Sequence, residues 1–425
     1  MTPLPRQALV APPLEHHALA DPAGVLRQRL DGDWLHEDWR GRRVAVAVGS
    51  RGIDRIGEIA QAVVAWLKAR GADPFVVPAM GSHGGATPDG QREMLGTYDV
   101  TEATIGAPFE TSMDVDELGE TASGVRAVVS SVVRTADAVI LINRVKPHTD
   151  FDGAFASGLI KMSAIGLGKA EGAIRCHWAA STLGHERVIR EVSTLVLSKL
   201  PRVYGIALIE DGAHQLSRIE TLRGVEFHDR EPSLLAVARQ WMPAIPLPEV
   251  DVLVLDEIGK NISGAGMDTN IVGRGVDTLP MPNRRSIVRR IYVRGLTPES
   301  RGNAIGIGLA DVVSSRLVEQ MDPVSTYTNA ISAMTPATAR VSIHFKTDAE
   351  CMKAVLRVAA ADPARPRIVR IRHTLALDRI VVSEACLETL DPRAQVLVPP
   401  TEWRFDATGN FDAATDLLAP VHAGR

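Results

Sequence analysis

Three short apolar runs that do not alternate with polar residues constrain the fold of this chain more than any other feature. They cover residues 43–48, 74–78 and 138–143. Continuous apolar runs of this length are typical of strands that are buried on both faces of a parallel sheet. The first two runs are each followed by a glycine-rich loop and a helical pattern. We therefore expect an α/β fold, whose N-terminal domain has a mostly parallel, Rossmann-like sheet.

The chain is expected to form two α/β domains, because 425 residues exceed what one hydrophobic core usually serves. Pro243, Pro246 and Pro248 lie close together, and a strand pattern restarts at residue 252. We assign residues 1–245 to an N-terminal domain that carries the site, with residues 1–40 as an arm and edge element. Residues 250–425 form a C-terminal domain that closes the cleft. Small molecules often bind between domains, so the active site is expected in this interdomain cleft.

Composition excludes several classes of function. The net charge of −4 does not indicate a nucleic-acid partner. The three cysteines are far apart, which excludes a disulfide framework and a cysteine-only metal site. No apolar run is long enough to span a membrane, and the N-terminus lacks the apolar core of a signal peptide. We expect a cytoplasmic protein without a nucleic-acid or membrane partner.

Polar residues follow each of the three predicted strands. Ser50 and Arg51 follow the first strand, His83 the second and His148 the third. Loops after parallel strands open toward one crevice, where ligands of α/β proteins bind. A single histidine in such a loop is more often structural. Two are better candidates for catalysis, because imidazole exchanges protons near neutral pH.

Lys161 and His177 form a second group of candidates. Lys161 lies in the otherwise apolar run 159–165, so its amine must reach solvent or meet a partner. Desolvated lysines also form covalent adducts with carbonyl compounds. His177 is equally consistent with an ordinary core or capping histidine. Glu257 and Lys260 follow the first strand of the C-terminal domain and are consistent with a surface ion pair.

Standard motifs of enzymes are missing from the sequence. It contains no P-loop, no nucleophile elbow and no His-Glu-x-x-His zinc motif. Gly306-Ile-Gly308 lacks the third glycine of a dinucleotide fingerprint, and the acidic run 113–117 lacks the glycine of an EF-hand. The acidic run is expected to be a solvated turn.

In their order along the chain, the candidate residues resemble the nickel-dependent lactate racemase family and related 2-hydroxyacid racemases and epimerases. The family combines an arginine loop, a Gly-x-His loop, and a Pro-His pair that a glycine-rich run joins to a lysine. A histidine follows that lysine by sixteen positions. The corresponding residues here are Ser50-Arg51, Gly81-Ser-His83, Pro147-His148, Lys161 and His177. The resemblance covers roughly residues 40–260, and it is specific through this ordered combination.

This resemblance implies a cofactor and two acid/base residues. Lys161 would be the covalent attachment point of a nickel-pincer nucleotide, nickel pyridinium-3,5-bisthiocarboxylic acid mononucleotide. His177 would ligate the nickel. His83 and His148 would exchange protons on opposite faces of the substrate. Enzymes that synthesise the nucleotide would be partners.

The resemblance also implies residues that bind substrate and cofactor. Arg51 would hold the substrate carboxylate, and Ser50 would contact the cofactor. Lys260, with Glu257 where the family tends to have glutamine, would contact cofactor or substrate from the C-terminal domain. The stretch between His148 and Lys161 is longer than in the best-known lactate racemases, which predicts a different pocket wall.

The expected activity is therefore racemisation or epimerisation of a small 2-hydroxy acid by reversible hydride transfer to the nickel-pincer nucleotide. Two alternatives remain open at this point. One is a nicotinamide-dependent 2-hydroxyacid oxidoreductase, although a Gly-x-Gly-x-x-Gly fingerprint after the first strand is missing. The other is a non-catalytic protein that binds a cofactor or an anion, which would need no pair of bases.

Overall fold

The computed structural model describes residues 4–49, 52–282, 284–359 and 362–419. The chain divides into two compact units. The N-terminal unit is Glu15–Met242, and the C-terminal unit is Met1–Leu14 together with Pro243–Arg425. Ser50 and Arg51 lie outside the described residues, so the roles expected for them stay predictions.

Strands and helices alternate through the N-terminal unit, whereas the first strand of the chain, β1 (Gln7–Ala11), belongs to the other unit. The strands of the N-terminal unit are β2 (Arg43–Val48), β3 (Asp73–Pro78), β4 (Val115–Glu120), β5 (Arg126–Ser130), β6 (Ala138–Arg144), β7 (Arg202–Glu210) and β8 (Leu216–Arg223). Its helices are α1 (Pro22–Asp33), α2 (Ile56–Lys68), α3 (Pro88–Gly96), α4 (Glu102–Ile105), α5 (Ser131–Arg134), α6 (Leu159–Lys161), α7 (Lys169–Leu183), α8 (His185–Lys199) and α9 (Phe227–Trp241).

The main sheet of this unit has the strand order β3-β2-β6-β7-β8, and its first four strands are parallel. Alternate residues of β2 enter two different cores: Val44 and Val46 pack on one face of the sheet, Ala45 and Ala47 on the other. Burial on both faces explains why the strand sequences are apolar without alternation. The expected α/β fold with a mostly parallel sheet is confirmed.

This unit also contains a small hairpin outside the main sheet and a side-chain contact between distant residues. The run 125–129 forms β5, which pairs antiparallel with β4 outside the main sheet. The acidic run expected to be a turn instead leads into β4. The carboxylate of Asp54, just before α2, accepts a hydrogen bond from the backbone of Leu216, 2.9 Å away on the antiparallel strand β8. This last hydrogen bond joins residues 162 positions apart in the chain, so no local pattern predicts it.

The C-terminal unit is also mixed α/β. Its further strands are β9 (Glu249–Leu255), β10 (Ile287–Val293), β11 (Val312–Ser314), β12 (Ile343–Phe345), β13 (Ile368–Ile371), β14 (Ile380–Ser383) and β15 (Gln395–Thr401). Its helices are α10 (Thr269–Val272), α11 (Ser315–Gln320), α12 (Pro323–Ser332) and α13 (Asp348–Ala359). The sheet order is β12-β11-β10-β9-β13-β14-β1-β15, in which β12 to β13 are parallel and the remaining strands pair antiparallel.

The position of β1 corrects the assignment of the whole segment 1–245 to the N-terminal domain. Strand β1 pairs with β14 and β15, almost four hundred residues away in the chain, and so lies in the C-terminal sheet. The segment that contains Gly306 and Gly308 is a loop followed by a single 3-10 turn, Ile307–Leu309. None of the helices in the described residues is both long and apolar enough to cross a lipid bilayer.

Candidate active site

A closed loop at the end of β6 brings His148 back toward Lys161. The backbone of Lys146 exchanges two hydrogen bonds with that of Ser157, at 2.9 and 3.0 Å. The side chain of Asn143, in β6, donates to the carbonyl of Gly158 over 2.8 Å. The chain therefore leaves the sheet edge and returns to it just before the short helix α6, which ends at Lys161.

His148 contacts the amine of Lys161 directly through its Nε2 atom. The imidazole is 7% exposed, and its Nδ1 atom accepts a hydrogen bond from the backbone of Asp150 over 3.0 Å. The buried imidazole therefore lies between the backbone of Asp150 and the side chain of Lys161.

A run of aromatic rings connects His148 to His177. Phe151 stacks on His148 with the ring centroids 4.3 Å apart, and its other neighbour is His185, at 4.6 Å and nearly parallel. His185 in turn meets His177 edge-on at 6.0 Å. The structure thus gathers Lys161, His148 and His177, three of the residues singled out in the sequence, into one cluster.

His185 was not among the residues expected at the site. It begins α8, eight positions after His177, with the helix break at Gly184 between them. Its position on the helix that follows the one carrying His177, a candidate metal ligand, is the sequence feature that could have indicated it. For Phe151, inside the long loop, the sequence gives no indication of a role at the site other than its aromatic ring.

Burial keeps the two helical histidines neutral. Desolvation lowers the pKa of His177 to about 4; positive charge on Lys161 and His185 acts in the same direction, and Asp150 opposes it. The pKa of His185 is also lowered, chiefly by burial. A neutral imidazole has the free lone pair that a metal ion requires. Within the described ranges, no group of three His, Cys, Asp or Glu side chains is arranged to hold a metal ion.

Helix α9 holds the long loop between His148 and Lys161. Arg239 pairs with Asp152, and it donates to the carbonyl of Gly153 over 3.0 Å. The ring of Phe155, in the same loop, is buried in the core that also contains Ala45 and Ala47 of β2. The pocket wall expected from the length of this stretch is therefore an ordered loop, whose residues Asp150 and Phe151 contact His148.

Glu231, also on α9, caps the helix that ends at Lys161. One oxygen of its carboxylate, Oε2, accepts from the backbone N–H groups of Leu159 and Ile160. A Cβ atom at Gly158 would lie 2.5 Å from the Glu231 carboxyl carbon, so only glycine fits there. Burial raises the pKa of Glu231 to about 7. The sequence alone does not distinguish Glu231 from the other polar residues of α9.

His83 lies in the loop after β3, at the same sheet edge as His148. Strand β2 lies between β3 and β6, so the loops that carry the two histidines leave the sheet two strand spacings apart, which corresponds to roughly 10 Å. The backbone of Gly81 donates to the carbonyl of Gly166 over 3.3 Å, so the loop rests on the segment that follows Lys161.

Glu257 and Lys260 belong to the C-terminal unit. Lys260 is exposed and donates to the carbonyl of Gly264 over 2.9 Å. Glu257 is half-buried, and its pKa is raised by desolvation and by the charge of Asp256. Their expected contacts with cofactor or substrate stay predictions.

The sequence around this cluster is similar to that of a known protein family. Residues 26–187 match the sequence model of the lactate racemase N-terminal domain. The matched segment contains the His83 loop, the His148 loop, Lys161 and His177. This segment therefore carries the similarity of the chain to the lactate racemase family.

The fold of the chain is similar to that of a solved structure. It matches the lactate racemase apoprotein from Thermoanaerobacterium thermosaccharolyticum with a TM-score of 0.50 and 13% sequence identity, over 87% of this chain and 99% of that one. At this identity the likeness concerns the fold. No curated protein matches the chain at a significant level.

Proposed function

We propose that the protein is a racemase or epimerase of small 2-hydroxy acids that works with a nickel-pincer nucleotide. The observation that carries the proposal is the cluster of Lys161, His148 and His177 at the carboxyl end of β6, within a lactate racemase N-terminal domain. An amine, a buried imidazole beside it and a second, neutral imidazole are the groups that such a cofactor needs from the protein.

The residues present fit this cofactor. Lys161 would hold it covalently, because its amine lies beside the buried imidazole of His148 at the carboxyl end of β6. His177 would be the protein ligand of the nickel, since burial keeps its imidazole unprotonated. A metal held mainly by its cofactor needs only one ligand from the protein. Ser50, Lys260 and Glu257 would make further contacts to the nucleotide.

The side chains of this chain handle the proton of the substrate hydroxyl. The α-hydrogen of a hydroxy acid is too weakly acidic for a side-chain base to remove as a proton. The chemistry that the nucleotide supplies when bound is reversible hydride acceptance from that carbon. One imidazole, His83 or His148, takes the hydroxyl proton from its side, and the other returns a proton when the configuration inverts. Arg51 would fix the carboxylate through a bidentate pair.

The experiment is an inversion assay with cofactor-loaded protein and a panel of 2-hydroxy acids. His83→Ala and His148→Ala should each abolish interconversion, whereas the exposed His36→Ala should not. Lys161→Met should remove the cofactor adduct from the intact mass of the protein, and Lys199→Met should retain it. Full interconversion by either active-site histidine variant would contradict the two-base scheme, and an adduct on Lys161→Met would contradict the attachment site.

A further inference from the structure

A second lysine, Lys169, is fully buried in the N-terminal unit and takes no part in the cluster described above. Its amine donates to the carbonyl of Pro78, the last residue of β3, over 2.7 Å. It also donates to the side-chain oxygen of Gln91 over 3.3 Å. Desolvation lowers the pKa of Lys169 to about 8. A buried amine is costly unless it is hydrogen-bonded, so these two acceptors account for its presence.

Gln91, on α3, is fully buried as well, and its side chain connects Lys169 to the loop after β3. Its amide nitrogen donates to the carbonyl of Gly81 over 2.9 Å and to the carbonyl of His83 over 3.3 Å. The amine of Lys169 only donates, so the amide oxygen must face it and the amide nitrogen must face the loop. The pair thus has one arrangement, which joins the end of β3 to the backbone of His83 itself.

The backbone at Lys169 also indicates that its side chain is needed. Its φ is +54°, in the left-handed region where glycine or asparagine is usual. Glycine occurs nearby at 166, 168 and 172, yet this position carries a long charged residue. Strained residues persist where the surrounding structure uses them.

Helix α3 holds the other end of the same loop. A Cβ atom at Gly90 would lie 2.0 Å from the carbonyl oxygen of Gly84, so the loop and the helix pack with no spare room. Thr87 caps α3 by accepting from the backbone of Gly90 over 3.1 Å. The loop is therefore held along α3 at its far end and by Gln91 at Gly81 and His83.

We propose that Gln91 and Lys169 are a positioning pair, which holds the His83 loop, residues 79–87, so that the His83 imidazole is presented to the substrate. This inference rests on the proposed function, in which His83 is one of the two acid/base residues. If the pair had a purely structural role, removing it would destabilise the N-terminal unit as a whole. If it positions the loop, removing it should increase the mobility of residues 79–87 more than that of the rest of the unit.

The test compares hydrogen exchange in the full, unloaded chain for Gln91→Leu, Gln91→Glu and Lys169→Met. Gln91→Glu keeps the size and a partner for Lys169 but removes both N–H donors to the loop. The control is Thr221→Val, which removes a partly buried side-chain hydrogen bond from Thr221, on β8 at the opposite edge of the sheet, to Asp33. If Gln91→Leu does not fold, the comparison is made with Gln91→Glu and Lys169→Met alone.

We expect amides of residues 79–87 to exchange at least about tenfold faster in all three variants, with β2 and β6 within about twofold of the wild type. Thr221→Val should leave the loop unchanged. In loaded enzyme, kcat should fall in the Gln91 variants while KM changes little. Exchange in the loop equal to wild type, or a uniform increase over the whole unit, would overturn the positioning role.

The two proposals fail in different ways. If loaded wild-type protein interconverts no 2-hydroxy acid, the proposed function fails while the exchange result still decides whether Gln91 and Lys169 hold the loop. If the wild type is active and Gln91→Glu has wild-type kcat and loop exchange, the positioning pair fails and the proposed function remains.

Discussion

Oε2 of Glu231 lies 2.6 Å from the backbone nitrogen of Leu159, two residues before Lys161. The same oxygen accepts from Ile160 over 3.0 Å, and Oε1 is buried with no hydrogen-bond partner among the described residues. A carboxylate on α9 thus replaces the missing acceptors at the start of a very short helix. The direction in which Lys161 leaves the backbone depends on this contact.

Replacing Glu231 with alanine should destabilise the protein by about 2–4 kcal/mol, because two buried N–H groups lose their acceptor. Urea unfolding of the full chain would measure the change in the free energy of unfolding. The exposed Glu93→Ala on α3 is the matched control and should change it by less than about 0.5 kcal/mol. A loss no larger than that of the control would show that the cap is unimportant.

Stability should also depend on pH through Glu231. Its pKa rises from 4.5 in the unfolded chain to about 7 in the folded protein. Between these values the unfolded chain gives up the proton and the folded protein keeps it. This carboxyl group therefore contributes less stability as pH rises from about 4.5 to 7, by about 3 kcal/mol in total.

Glu231→Gln tests this pH dependence, because glutamine resembles the protonated acid and does not titrate. We expect the stability of the variant, relative to the wild type, to increase as pH rises from 5 to 7.5. Unfolding free energies at several pH values would measure the difference. A constant difference would mean that the folded pKa is close to the ordinary value.

Arg239→Ala should loosen the loop that carries Asp150 and Phe151. The side chain is partly exposed, so the loss of its pair with Asp152 should cost only about 1 kcal/mol of stability. Hydrogen exchange in residues 149–157 should nevertheless increase. Arg187→Ala, which breaks an exposed pair with Glu191 on α8, is the control. Unchanged exchange in the loop would show that Arg239 does not restrain it.

The C-terminal unit depends on a buried carboxylate, Asp348. It accepts from Tyr292 over 2.6 Å, from Arg294 and Arg316 over 2.8 Å, and from the backbone of Phe411 over 2.9 Å. Asp348→Ala should destabilise the unit by about 3–5 kcal/mol, because buried donors lose their partner. Thermal unfolding of the full chain measures this, with the exposed Asp378→Ala as the control. Equal melting temperatures in the two variants would contradict the prediction.

Part of the candidate site is visible in the sequence because sheet topology follows from local patterns. Residues after the ends of parallel strands must meet at one edge, so the strand pattern alone places His83 and His148 there. Glu231, Gln91 and His185 are different. Each reaches the site from a helix, and no spacing rule tells which turn of a helix faces which loop.

The sequence by itself determined the α/β class, the parallel strands and the order of the residues that mark the family, because strand burial and motif spacing are local properties of a chain. Only the tertiary structure decided that β1 joins the C-terminal sheet, that Phe151 stacks between two histidines, and that Glu231 is buried against α6 and Lys169 against the end of β3. These contacts join residues from about 30 to almost 400 positions apart. They arise from the packing of whole elements, whose geometry no short stretch of sequence contains.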